Sequence, residues 1–122
     1  MFIRKVMIVD DDKKFLDELE ETLAFSGYDM ITTHDPHLAL PIVSKEKPHV
    51  ILLDLKMPGK SGFQLAHELR SFPELQQIPI IAMTETFKDG YKPLMDMCGI
   101  KKCLQKPFNP LNVIAEIEAV IE

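Results

Sequence analysis

Val50-Ile51-Leu52-Leu53-Asp54-Leu55-Lys56-Met57-Pro58-Gly59 is the stretch from which the fold can be read. Four apolar residues in a row, the first two β-branched, predict a short strand buried on both faces rather than on one. The run stops on a carboxylate, and Pro58-Gly59 turns the chain shortly afterwards. Acidic residues are usually solvated surface, but Asp54 directly follows a buried run, which marks it for a specific task.

Similar runs lie on either side. Val6-Met7-Ile8-Val9 and Ile78 to Met83 are nearly all apolar, Tyr28 to Thr33 alternates more and suits an edge, and Ile100 to Gln105 is a poorer fifth strand. Helical patterns separate them. Phe15, Leu16, Leu19 and Leu23 share one face ahead of Gly27. Ser61 with Gln64 reads as a capping box, followed by Leu65, Leu69 and Phe72. Asn109-Pro110 reads as an N-cap and first-turn proline above Leu111, Ile114, Ile117 and Ile121. Two helices carry flaws. Pro41 within Leu38 to Ser44 is expected to break its helix at a cost of about 3 kcal/mol unless it falls in the first turn. Gly90 and Pro93 shorten the helix between Thr86 and Met97.

Strands and helices alternating at this spacing predict an α/β, doubly wound parallel sheet with helices on both faces. Ligands of such sheets sit beyond the carboxyl ends of the strands, at a topological switch point. The polar residues closing the strands are Asp10-Asp11-Asp12, Asp54, Thr84 and Lys106. Converging carboxylates raise one another's pKa, and a bound Mg²⁺ relieves that repulsion while accepting phosphate oxygens as further ligands. Asp54 is the candidate nucleophile, because carboxylates form aspartyl-phosphates. Lys106 offers a positive charge and Thr84 a hydroxyl donor, which is what phosphoryl transfer asks of a protein. Asp12 has a simpler use as the cap of the helix that follows it.

Length and composition narrow the function classes. One domain accounts for 122 residues, with a formal charge of −5 and no basic stretch, so neither nucleic acid nor a membrane surface is an expected partner. The N-terminus Met1-Phe2-Ile3-Arg4-Lys5 lacks the apolar core of a signal peptide, and no run reaches transmembrane length. Cys98 and Cys103 read as reduced thiols of a cytoplasmic protein.

The segments Val9-Asp10-Asp11-Asp12, Leu53 to Gly59, Ala82-Met83-Thr84 and Lys106-Pro107-Phe108 resemble the receiver domain of two-component response regulators, in order and across essentially the whole chain, 1–122. The resemblance implies a flavodoxin-like (βα)₅ fold with strand order 2-1-3-4-5. It implies that Asp54 takes a phosphoryl group from a sensor histidine kinase or phosphotransfer protein. Asp11 would bind Mg²⁺ directly, Asp10 mainly through water, and the Lys56 backbone carbonyl would complete the protein ligands. Thr84 would hydrogen-bond the phosphoryl group, and Lys106 would pair with it. Met57-Pro58-Gly59 would shape the turn, and Gly99 matches a glycine found before the fifth strand. The output would be a downstream protein or effector domain, with a phosphorylation-linked dimer as one form. No effector segment follows Glu122, which suits a stand-alone or an excised receiver.

Three positions depart from the pattern. Cys103 stands where the family usually has a switching Tyr or Phe. Glu85 follows Thr84 where a small residue is usual, and its carboxylate is expected to point outward. Gly90 and Pro93 weaken a helix on a common partner face. The first two motivate an alternative, a degenerate receiver acting as a phosphorylation-independent interaction module. A third class, an aspartyl phosphatase or a flavin protein, is disfavoured. Lys56 replaces the second aspartate of such phosphatases, and Asp10-Asp11-Asp12 would oppose a flavin phosphate.

Overall fold

The computed structural model describes residues 3–121. Five parallel strands, β1 (Lys5–Val9), β2 (Asp29–Thr33), β3 (Val50–Asp54), β4 (Ile80–Thr84) and β5 (Ile100–Gln105), lie in the order 2-1-3-4-5. Helices α1 (Lys13–Phe25), α2 (Pro36–Glu46), α3 (Gly62–Arg70), α4 (Tyr91–Met97) and α5 (Pro110–Val120) connect or follow them, with a 3₁₀ turn at Pro73–Leu75. The doubly wound architecture and strand order are those expected.

Period-two alternation divides each central strand between two cores. Val6, Ile8, Val50, Leu52, Ile81 and Met83 pack under α1 and α5, against Leu16, Leu19, Leu23, Val113 and Ile117. Met7, Val9, Ile51, Leu53, Ile80 and Ala82 pack on the other face, under α2 and α3, against Val43, Leu65 and Leu69. Because both faces are covered, β1, β3 and β4 had to be continuous apolar runs. β4 begins at Ile80 rather than Ile78, because Pro79 has no N–H to give the ladder and contributes only its carbonyl, to the Ile51 amide at 3.0 Å.

The helix ends follow their local chemistry. Asp12 caps α1 through the Phe15 amide, Ser61 and Gln64 close a reciprocal capping box on α3, and Asn109 caps α5 ahead of Pro110. The expectation for Pro41 is corrected: α2 runs through it unbroken to Glu46. Pro41 is exposed, and the carbonyl it leaves without a helical partner belongs to exposed His37, where water can satisfy it. Pro36 occupies the first turn in its place. α4 is only seven residues long, has no fully buried residue, and starts at Gly90 with no side-chain cap.

Candidate functional site

β1 and β3 are neighbours at the switch point, so Asp10, just past Val9, and Asp54, the last residue of β3, emerge side by side. Asp10 is fully buried and Asp54 nearly so, whereas Asp11 is exposed. One oxygen from each of Asp10, Asp11 and Asp54 lies within 4.8 Å of the others. β4 and β5 bring Thr84 and Lys106 to the same edge. Together these residues line a cavity of about 370 Å³, with Lys56 and Glu85 also on its wall.

Local hydrogen bonds hold the carboxylates. Asp10 Oδ1 accepts from the Asp12 amide at 2.9 Å, and Asp54 Oδ1 accepts from the Lys56 amide at 3.3 Å. The Lys106 ammonium donates to Asp10 Oδ2 at 2.7 Å and stands 3.9 Å from Asp54 Oδ1, with its side chain 10% exposed. Among the protein groups, then, Lys106 is paired most closely with Asp10 and only secondarily with Asp54. Both buried carboxyls titrate high. Burial is the larger cause for Asp10, partly offset by Lys106. Asp54 is pushed up to about 7, first by burial and then by the Asp10 charge, again opposed by Lys106. Lys106 alone leaves these acids undercompensated. A compact all-oxygen cluster with excess negative charge fits a hard divalent cation such as Mg²⁺.

Thr84 is buried, and its Oγ1 is engaged in its own turn. It donates to the Thr86 carbonyl at 3.1 Å and accepts from the Thr86 amide at 3.3 Å. Glu85 is exposed and lines the cavity, and its backbone carbonyl accepts from Gln105. Cys103 is half-buried beside Phe87 and Met95, along a shallow cavity of about 350 Å³ where a ring would add bulk. Cys98 and Cys103 are free thiols.

Three contributors were not assigned to the site from sequence. A Cβ at Gly62 would fall 2.3 Å from the Asp54 carbonyl oxygen, so only glycine lets α3 start against the end of β3. The Phe15 ring lies under the Lys106 ammonium, with Nζ 4.1 Å from its centroid. Arg70 binds backbone carbonyls of Leu75, Gln76, Ile78, Cys98 and Gly99, at 2.8 to 3.3 Å. Its guanidinium fills the space above Gly99, whose φ of +67° also suits glycine. Of these, the sequence reading placed only Phe15, and only on the apolar face of the first helix.

A family model described as the response regulator receiver domain matches residues 6–118. Solved structures of similar fold include the chemotaxis protein CheY4 of Vibrio cholerae. It is 28% identical over 98% of this chain and 99% of that one, with a TM-score of 0.93. A putative response regulator from Chloroflexus aurantiacus is 26% identical, covers 98% of both chains and has a TM-score of 0.90. The receiver domain of the Francisella response regulator 1452 is 25% identical over 97% of this chain and 96% of that one, with a TM-score of 0.86. Among the described residues, no helix is long and apolar enough to cross a membrane.

Proposed function

The chain belongs to the response regulator receiver domain family, and on that premise we propose that residues 1–122 act as one receiver whose phosphoacceptor is Asp54. Receivers are signalling switches of two-component systems rather than conventional enzymes. This one catalyses only its own phosphorylation and dephosphorylation. The observation that carries the reading is the placement of Asp54 at the end of the central strand, with Asp10 and Asp11 beside it and the Lys106 ammonium 3.9 Å away.

The donor is a phosphohistidine of a sensor kinase or phosphotransfer protein. An Asp54 Oδ attacks phosphorus, the P–N bond breaks, and its electron pair leaves on the imidazole nitrogen, so that a ring already carrying a proton on its other nitrogen departs as neutral imidazole. Asp54 becomes an acyl phosphate, and its single negative charge is replaced by about two. Lys106 is placed to offset that charge. Thr84 can donate to the phosphoryl group only by releasing the Thr86 carbonyl, so its hydroxyl has two mutually exclusive partners. Asp10, Asp11, Asp54 and the Lys56 carbonyl would hold Mg²⁺, which supplies charge neutralisation for the phosphoryl oxygens. The segment after Thr84 would then shift toward a form that a downstream protein or a second receiver binds, to the extent that phosphorylation favours that form. The compartment is the cytoplasm, and the charge of −5 disfavours direct nucleic-acid binding.

Intact mass after incubation with acetyl phosphate and Mg²⁺, beside an Asp54→Asn control, tests this. A Mg²⁺-dependent phosphoryl adduct on the unsubstituted chain alone is expected. No adduct, with a histidine kinase donor also failing, would refute the switch and leave a phosphorylation-independent interaction module.

A further inference from the structure

We propose that Phe15 is a positioning residue for phosphoryl transfer, holding the Lys106 ammonium between Asp10 and Asp54 with the face of its ring. The proposal rests on the receiver reading above for the reaction that Lys106 serves.

Lys106 enters the site from the loop after β5, where nothing in a lysine's flexible four-carbon stem fixes the direction of its charge. An ammonium has three N–H bonds. Asp10 takes one at 2.7 Å, and Asp54 lies along a second direction at 3.9 Å. The charge also lies over the Phe15 ring, 4.1 Å from Nζ to centroid, inside the range where the negative ring face attracts a cation. With the lysine only 10% exposed, water screens that attraction little.

Phe15 is itself fixed from two directions. Its amide donates to Asp12 Oδ1 at 3.2 Å, tying it to the acidic loop that carries Asp10 and Asp11. Its ring meets Phe108 edge to face, with centroids 5.7 Å apart and planes at 84°. Phe108 lies two residues after Lys106, so one aromatic pair joins the first turn of α1 to the loop that delivers the lysine. The ring therefore does more than fill space. It gives the ammonium a third close partner and so restrains the charge within reach of both the resting partner, Asp10, and the phosphoacceptor, Asp54. Leucine would fill much of the same volume but present no negative face.

The test compares Phe15→Leu and Phe15→Tyr with the unsubstituted chain, using acetyl phosphate and Mg²⁺ and reading the rate of adduct formation by intact mass. Phe15→Leu should slow the adduct about fivefold at saturating Mg²⁺, while Phe15→Tyr should restore a rate within about twofold. The Lys106 ε-methylene resonances should be shifted upfield by the ring in the unsubstituted protein and the Tyr variant, and should move toward ordinary lysine positions in the Leu variant. A Leu variant as fast as the unsubstituted chain, Leu and Tyr variants slowed equally, or Lys106 methylenes with ordinary shifts in the unsubstituted protein would each overturn the proposal. If the unsubstituted chain forms no adduct, the phosphoacceptor reading fails, and the methylene shifts still decide whether the ring holds the lysine.

Discussion

Replacing Asp54 by asparagine should stabilise the metal-free protein, and the gain should grow with pH. The amide keeps an oxygen to accept from the Lys56 amide but cannot ionise. Asp54 titrates near 7 in the fold against an ordinary value of 3.8, chiefly because it is buried and secondly because Asp10 is beside it. Between those values the folded chain holds more protons than the unfolded chain, so stability present below pH 3.8 is lost as pH rises through 7. At about 1.4 kcal/mol per pH unit, the carboxylate costs on the order of 2 kcal/mol at pH 5 and on the order of 4 kcal/mol at pH 7. The stability difference between Asp54→Asn and the unsubstituted protein should thus widen by about 2 kcal/mol from pH 5 to pH 7. Urea unfolding in EDTA, followed by circular dichroism at the two pH values, measures it, and groups unaffected by the substitution cancel in the difference. A difference that is flat or shrinks with pH would refute the claim that Asp54 sits buried and undercompensated.

Mg²⁺ at neutral pH should raise the urea midpoint of the unsubstituted protein, and Asp11→Ala should remove most of that increase; an equal response in both would take Asp11 out of the cation site. Gly62→Ala should destabilise by about 1–3 kcal/mol in the same assay, because the obstructing atoms are the backbone of Asp54 and Leu55 and cannot swing aside. It should also slow phosphorylation, since α3 would press on the residue carrying the acceptor. Arg70→Ala should cost about 2–4 kcal/mol, with Arg70→Lys recovering little, because an ammonium cannot reach five carbonyls spread over two segments. Recovery by lysine to the unsubstituted stability would show that charge, rather than the guanidinium fork, matters there.

The sheet was legible because parallel strands buried on both faces must be written as unbroken apolar runs, as in β1, β3 and β4. The capped starts of α1, α3 and α5 were legible because Asp12, Ser61 with Gln64, and Asn109 act on amides two or three residues away. The candidate site residues could be named because strand ends on the same edge converge. Pro41 misled because the local rule counts a lost hydrogen bond without knowing that the freed carbonyl faces water. Arg70, Gly62 and the ring of Phe15 were not assigned such roles because their partners are distant in sequence or depend on side-chain direction. The partition of Lys106 between Asp10 and Asp54 likewise depends on register and rotamer, which no spacing encodes.

Arg70 has a mechanical consequence for α4. Its guanidinium grips the carbonyls of Cys98 and Gly99, where α4 hands over to β5, and so anchors that end to the C-terminus of α3. The opposite end, at Gly90, has no side-chain cap, and no residue of the helix is fully buried. α4 is nevertheless held to α3 at both ends, by Arg70 where it meets β5 and at its start by the Tyr91 ring, which meets Phe63 of α3 edge to face with centroids 5.3 Å apart. Loss of the guanidinium grip should therefore loosen the corner between α4 and β5 first and leave the Tyr91 end seated on α3.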